Sequence, residues 1–359
     1  MSTSAIRFMT SDCDYVDGIF PDEQIGPFLL ISEAEAETFN DVLSDEVDSD
    51  YASSICCCDF CYDDFKAHWP DVAFREMEFQ KQSMEAGWYL ENSRMASLYT
   101  PAEMSTLRHF VRCPRCFNTG ASNLWVYEHR FSNSEGIERN IDHLRTLGRT
   151  TPFLLLEHPF ARDVLNEIRR QALNVKSAVF PDIVYRARIA KQVLGAAQAP
   201  DAIETYGAPP SLKVVEGRFN HAGAPTLYLA SSGETAAAEL GAAGTECFVG
   251  ALQMLQKIKI LDLLNIEEGG DGWELLQALA RSALLSAPHS GEGWVRREYI
   301  FSRFVADCAR AAGFDAIHYG STKRPGGGNW VILNPTENLE SIASLESWSA
   351  MAAPDPSRR

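Results

Sequence analysis

The sequence predicts a mixed α/β (α+β) chain of two unequal parts. A C-terminal α/β domain follows a mainly helical N-terminal domain stabilised by a metal. Three observations carry this. After residue 150, short apolar runs such as Ile183-Val184-Tyr185 and Thr226-Leu227-Tyr228-Leu229-Ala230 alternate with segments of helical periodicity. Before it stand two Cys-x2-Cys pairs, Cys58/Cys61 and Cys113/Cys116. The charge divides as well: residues 1–64 hold 16 acidic side chains against Arg7 alone, a net of −15, while the other 295 residues hold 33 acidic and 31 basic ones, a net of −2. The 359 residues suffice for two domains with separate cores. At 45% hydrophobic and 23% charged the composition is that of an ordinary globular protein.

Taken in chain order, residues 1–50 read as an acidic, partly disordered arm, because density of one charge outweighs any periodic signal. Within it, Ser32 caps a short helix running to Phe39. Such an arm disfavours the nucleic acid backbone as a partner. Helices are expected over 75–95 and 101–112, the second introduced by Thr100, Pro101 and Glu103, a capping threonine with proline in the first turn. Residues 118–133 read as loop and strand, and 136–148 and 160–176 as helices. In the last, Phe160, Val164, Leu165, Ile168 and Ala172 mark one buried face. The break between domains is expected near Gly148–Pro152, giving a Cys-rich unit at 51–150 and an α/β unit at 151–345. Beyond it, Thr226–Ala230 is a strand, Glu234–Leu240 a helix, and 270–310 mostly helical. A helix from Tyr299 to Ala312 is stopped by Gly313 before a strand that reaches Ser321. Residues 346–359 are expected to form a flexible tail. No apolar run approaches the ~20 residues that span a bilayer, and the N-terminus lacks a basic region followed by an apolar core, so a cytoplasmic location is expected.

Each Cys-x2-Cys can point two thiolates at one ion, and two such pairs complete a tetrahedron. Cys58, Cys61, Cys113 and Cys116 are therefore the candidate ligands of a structural zinc ion, with 51 residues between the pairs. Cys56 or Cys57 could take the place of Cys58, and an iron–sulfur cluster uses the same residue type. A site closed by four protein ligands is structural.

The stretch from Arg186 to Glu239 sets two arginines, a tyrosine and a glutamate among glycines, prolines and short strands. Arginine offers a rigid fork of donors for phosphate or carboxylate, and a glutamate can hold ribose hydroxyls or face a developing cation. The combination points to a pocket for a dinucleotide or another phosphate-bearing ligand. Gly326-Gly327-Gly328 after Lys323-Arg324 is a weak sign of phosphate cradling, and neither a Gly-x-Gly-x-x-Gly after a strand nor a phosphate-loop lysine motif is present.

Three blocks resemble the RES domain, named for its Arg, Glu and Ser. They are Tyr185-Arg186-Ala187-Arg188; Gly217-Arg218-Phe219-Asn220 with Gly223, Leu227–Ala230, Thr235-Ala236 and Glu239; and Gly313–Ser321 with Asn329-Trp330-Val331-Ile332. They come in the family's order. The resemblance implies a fold similar to the ADP-ribosyltransferase toxins and cleavage of the nicotinamide–ribose bond of NAD, by a glycohydrolase or a phosphorylase, in many cases as the toxin of a toxin–antitoxin pair. It makes Arg186, Glu239 and Ser321 the catalytic candidates, and Arg218, Tyr228, Asn220 and Asn329 the binding candidates for NAD. The small residue that often follows the family's serine is here Thr322. An antitoxin or regulatory protein is the implied partner. An ADP-ribosyltransferase acting on a macromolecule and a non-catalytic, zinc-stabilised interaction module are the competing expectations. The resemblance does not reach residues 1–150.

Overall fold

The computed structural model describes residues 30–51, 53–68, 82–116, 118–128, 134–180, 183–267, 269, 272–285, 299–324, 326–336 and 338–354. The first 29 residues of the expected acidic arm, residues 69–81 and the last five residues of the chain lie outside them.

The second half of the expected arm is a built element. Helix α1 spans Glu33–Tyr51, opened by Ser32, whose hydroxyl accepts from the Glu35 amide at 3.3 Å while Glu35 accepts from the Ser32 amide at 2.8 Å. Phe39, Leu43 and Val47, four residues apart, put one apolar stripe on a helix otherwise crowded with carboxylates. That stripe lies in a core with Tyr89, Leu90, Met95, Leu107, Leu124 and Val126. The acidic residues mask the stripe in composition, but they occupy the other faces. Glu46 is the buried exception. Its two oxygens take the Arg94 Nε at 3.1 and 3.0 Å and the Arg94 Nη2 at 2.7 Å, and hydrogen bonding to this guanidinium holds the carboxyl below its ordinary range.

Strand β1 (Ser53–Cys58) runs into α2 (Asp59–His68). The helix expected over 75–95 is broken in its described part. Strand β2 (Met84–Glu85) precedes α3 (Ala86–Asn92), and α4 (Met95–Leu98) follows after Ser93. The Thr100–Glu103 capping box opens α5 (Pro101–Leu107) as expected, but the helix tightens to a 3₁₀ turn at Arg108–Phe110. Strand β3 (Asn123–Glu128) sits between β1 and β2, antiparallel to both.

Helix α6 (Ser134–Thr150) and α7 (Pro159–Asn174) flank the expected domain break. Ile137, Ile141 and Leu144 of α6 lie in the same core as the apolar face of α7, so the helix before the break packs with the elements after it. Strands β4 (Ala178–Val179) and β5 (Val184–Ile189) lead through α8 (Ala190–Gly195) to β6 (Leu227–Ala230) and α9 (Gly233–Glu239). Then come β7 (Glu246–Met254), β8 (Lys257–Ile258), β9 (Ile260–Asp262), α10 (Trp273–Leu285) and α11 (Ile300–Ala311). Gly313, at φ 83°, ends the turn after α11 as only glycine does without strain. The chain closes with β10 (Ala316–Gly320), β11 (Gly328–Ile332) and β12 (Ala343–Ala352).

Among the described residues, seven strands form one sheet in the order β12-β7-β5-β6-β11-β10-β9, antiparallel except for the β9–β10 pair. Its two faces follow from the period of two. Leu227, Leu229, Leu252 and Ile332 enter one core with Phe180 and Tyr206. Ile317 and Val331 enter the other, beneath α6, α7, α10 and α11. Residues 346–352, expected as tail, belong to β12, which pairs with β7 out to Ala352 and Glu246. This edge strand is held by backbone hydrogen bonds and buries few side chains, so it carries no hydrophobic pattern to read. No helix among the described residues is long and apolar enough to cross a membrane.

Two outcomes test the account of α1. Leu43→Ala should destabilise the N-terminal core by roughly 2–5 kcal/mol, read by chemical denaturation. Glu46→Gln should be less stable than the parent at pH 7. A carboxyl with a depressed folded pKa contributes stability above its unfolded value of about 4.3 and loses it as the pH falls through the folded pKa. The two proteins should therefore converge in acid, and a gap that stays constant down to the acid transition would refute the ion pair's role.

Candidate functional site

Arg186, Arg218, Tyr228, Glu239 and Asn329, drawn from all three sequence blocks, line one cavity of about 530 Å³, a size suited to a small-molecule ligand; Ser321 is not part of its wall and reaches it through Glu239. Sheet order brings them there. Strand β6 lies beside β11, which lies beside β10. Asn329 of β11 faces Ala230 of β6 on one side and Tyr319 of β10 on the other. Helix α9 starts just after β6, capped by the Ser232 hydroxyl that accepts from the Thr235 amide at 3.1 Å, and ends at Glu239. The turn after β10 carries Ser321. Glu239 Oε1 therefore accepts from both Ser321 Oγ at 2.7 Å and Asn329 Nδ2 at 2.8 Å. Glu239 itself stays exposed at the cavity wall, with Oε2 taking no hydrogen bond from the described residues.

Arg186 enters from β5. It is buried to 8% exposure, and its Nη1 donates to the Tyr228 carbonyl at 2.7 Å. Its Nε meets no acceptor. Burial pushes its pKa well below the ordinary value, as expected for a cation held without a nearby anion. Tyr228 points to the face opposite Leu227 and Leu229, which settles an alternation that the sequence leaves open. Its hydroxyl donates to Asn220 Oδ1 at 3.0 Å and accepts from the Phe219 amide at 3.1 Å.

Asn220 does not line the cavity. It is buried, its Nδ2 donates to the Val215 and His221 carbonyls at 2.9 and 3.0 Å, and its Oδ1 holds Tyr228. It shapes the turn that presents Arg218. Gly217 is needed in that turn, since a Cβ there would lie 2.3 Å from Asn220 Oδ1 and 3.1 Å from the Tyr228 hydroxyl. Arg218 lines the cavity and stands over two rings, with Cζ 5.6 Å from the Tyr299 centroid and 5.9 Å from that of Tyr319.

Sequence reading passed over Arg188, Tyr299, Tyr319 and Lys323 as cavity residues. Arg188 was legible as Arg186 plus two on a strand, the same face. Its guanidinium donates to the Thr205 and Gly207 carbonyls at 3.2 and 2.6 Å. Lys323 reaches the Glu239 carbonyl at 3.3 Å, and burial lowers its pKa. Burial raises the pKa of Tyr228 and Tyr319, so both stay protonated donors. The glycine run is the turn between β10 and β11: Gly327 accepts from the Ser321 amide at 2.7 Å. His318 lies outside the cavity, with Nδ1 3.1 Å from Asp262 and its ring stacked on Trp330 at 4.4 Å.

The cysteine pairs form the second centre. Cys58 ends β1, Cys61 lies in α2, and Cys113 and Cys116 bracket the turn before β3. Their four sulfurs all lie within 4.8 Å of one another, with Cys58 to Cys116 at 3.9 Å and Cys61 to Cys113 at 3.8 Å. A tetrahedral ion with metal–sulfur bonds of about 2.3 Å spaces its ligands about 3.8 Å apart. The set fits one ion, and it is too tight for a cluster of several irons. The Cys58 amide donates to Cys113 Sγ at 3.2 Å, as suits a thiolate. Cys58, not Cys56 or Cys57, completes the set.

The family profile described as RES domain matches residues 183–350. No curated protein matches the chain. The resemblance drawn from the three blocks thus holds over residues 183–350. The cysteine set lies outside the matched residues and needs its own test. Purified chain should contain about one zinc ion, and Cys113→Ser should lower that content and the stability of the N-terminal core together. Full stability without bound metal would show the four thiols to be packing alone.

Proposed function

We propose that the RES domain carried by residues 183–350 makes this chain an NAD-degrading enzyme that cleaves the nicotinamide–ribose bond. The observation that carries the reading is the Glu239 carboxylate, tied through one oxygen to Ser321 and Asn329 in a cavity that otherwise presents Arg186, Arg218 and Lys323. A dinucleotide offers what such a cavity selects: a pyrophosphate for the cations and a ribose for the carboxylate.

In this reading Arg186 and Arg218 hold the pyrophosphate. Glu239 Oε2 faces the ribose attached to nicotinamide, where it binds a hydroxyl and opposes the positive charge that grows on the sugar as the C–N bond breaks. Ser321 and Asn329 fix the carboxylate's orientation and keep its charge directed into the cavity. Tyr228 and Tyr319 supply flat surface beside the rings of the ligand. The bond pair leaves with nicotinamide, which departs neutral. With water as acceptor the products are ADP-ribose, nicotinamide and a proton. With phosphate they are ADP-ribose 1″-phosphate and nicotinamide. The four-cysteine centre is closed and takes no part in this chemistry. Its metal, when bound, supplies a crosslink for the N-terminal unit. A toxin-like role in the cytoplasm, with a protein antitoxin or regulator as partner, belongs to the same reading.

The test is release of nicotinamide from NAD without any protein acceptor. Glu239→Ala should cut turnover by roughly 10²–10³ with a smaller change in NAD affinity. Arg218→Ala should chiefly raise KM, because its contact exists in the ground state. For Arg186, whose burial makes alanine a folding risk, Arg186→Lys with a circular dichroism control is the informative variant. A folded Glu239→Ala protein with parental turnover would overturn the assignment. ADP-ribose found on a protein target instead of free in solution would move the chain to the transferases.

A further inference from the structure

We propose that the four-cysteine centre holds the NAD pocket in shape through Tyr299, a positioning residue that fixes Arg218. Tyr299 is 7% exposed and belongs to two environments at once. It sits in a buried cluster with Cys57, Cys61, Tyr62, Cys113 and Tyr127, which is the core of the cysteine centre. It also lines the cavity, where its ring carries the Arg218 guanidinium at 5.6 Å.

The first turn of α11 grips the Arg218 turn at further points. The Ser302 hydroxyl donates to the Arg218 carbonyl at 2.6 Å and shares the Tyr299 carbonyl at 3.2 Å. Arg303 pairs with Glu216 at 3.3 Å, both largely buried. Backbone and side chain of Arg218 are thus referred to one helix start, and the residue that opens that start packs on the cysteine centre. Cys61 and Cys113 belong both to the metal set and to the Tyr299 cluster. Loss of the ion removes the crosslink that keeps α2 and the Cys113–Cys116 turn together beneath the ring. Tyr299 then loses its backing, and the Arg218 guanidinium loses a fixed platform. Metal occupancy becomes a control on anion binding some way from the metal itself. Arg218 as a pyrophosphate ligand comes from the proposed function. The mechanical link does not depend on it.

Hydrogen exchange read by mass spectrometry tests the link without NAD. The amides of Gly217 and Phe219 are bonded to the Asn220 carbonyl and the Tyr228 hydroxyl, so peptides over 216–221 report on the turn. In Tyr299→Leu protein that keeps its metal, exchange there should rise roughly 3- to 30-fold, the range spanned by a cation–π contact, while β7 stays protected. Tyr299→Phe, which restores the ring, should stay close to the parent. Stripping metal from the parent should reproduce the rise, and stripping it from Tyr299→Leu should add little, since both act on one contact. Unchanged exchange in Tyr299→Leu, or equal and additive effects of stripping in both proteins, would overturn the proposal. On NAD, Tyr299→Leu should raise KM by a similar factor with kcat little altered. A parent with no NAD turnover would count against the proposed function alone, because the exchange arms stand without it.

Discussion

The hydrogen bonds that converge on Glu239 Oε1 organise the site. Ser321 and Asn329 donate to it from the turn after β10 and from β11, while Glu239 itself ends a helix that begins after β6. More than eighty residues of chain separate the carboxylate from either donor, and only the β6-β11-β10 pairing makes them neighbours. A one-residue slip in either ladder would turn Asn329 to the opposite face. The order of the sheet is therefore a condition of the carboxylate's geometry.

The cavity concentrates positive charge around that carboxylate. Arg186 is buried with a carbonyl as its partner and an orphaned Nε, and Lys323 is held against another carbonyl. Cations kept in this way resist desolvation, as their lowered pKa values reflect. An anion placed in the cavity would relieve that cost. Tyr228 and Asn220 stabilise the arrangement from behind: the phenol bridges Asn220 and the Phe219 amide and so locks the turn that carries Arg218.

The N-terminal unit is more than an appendage. Its acidic helix α1 is anchored by Phe39, Leu43 and Val47, its sheet threads β3 between β1 and β2, and its cysteine centre shares Tyr299 with the cavity. The Tyr62 ring stacks on Trp125 at 3.4 Å, and Asp59 accepts from Trp125 Nε1 and Asn123 at 3.0 and 2.7 Å. The cysteine-bearing helix α2 is thereby tied to β3 by packing as well as by thiols.

The sequence by itself determined the features that depend on local chemistry or on residue identity in order. The doubled Cys-x2-Cys names the four sulfurs that meet, the capping signals at Ser32 and Thr100 place two helix starts, and the Arg, Glu and Ser blocks carry the resemblance to the RES domain. What depends on distant pairing was decided only by the tertiary structure. Strand β12 shows no hydrophobic period, because an edge strand is held by its backbone. Helix α1 hid an apolar stripe beneath its charge. Alternation alone separates Tyr228 from Leu227 and Leu229, and the packing of the sheet decides which face each takes. Asn220 proved to be a brace for the Arg218 turn, not part of the cavity wall. Tyr299 belongs to no motif, and its position between the cysteine centre and Arg218 exists only where two separately encoded units touch. Local sequence carries propensities and ligand types. Contact between residues far apart in the chain is a property of the packed molecule.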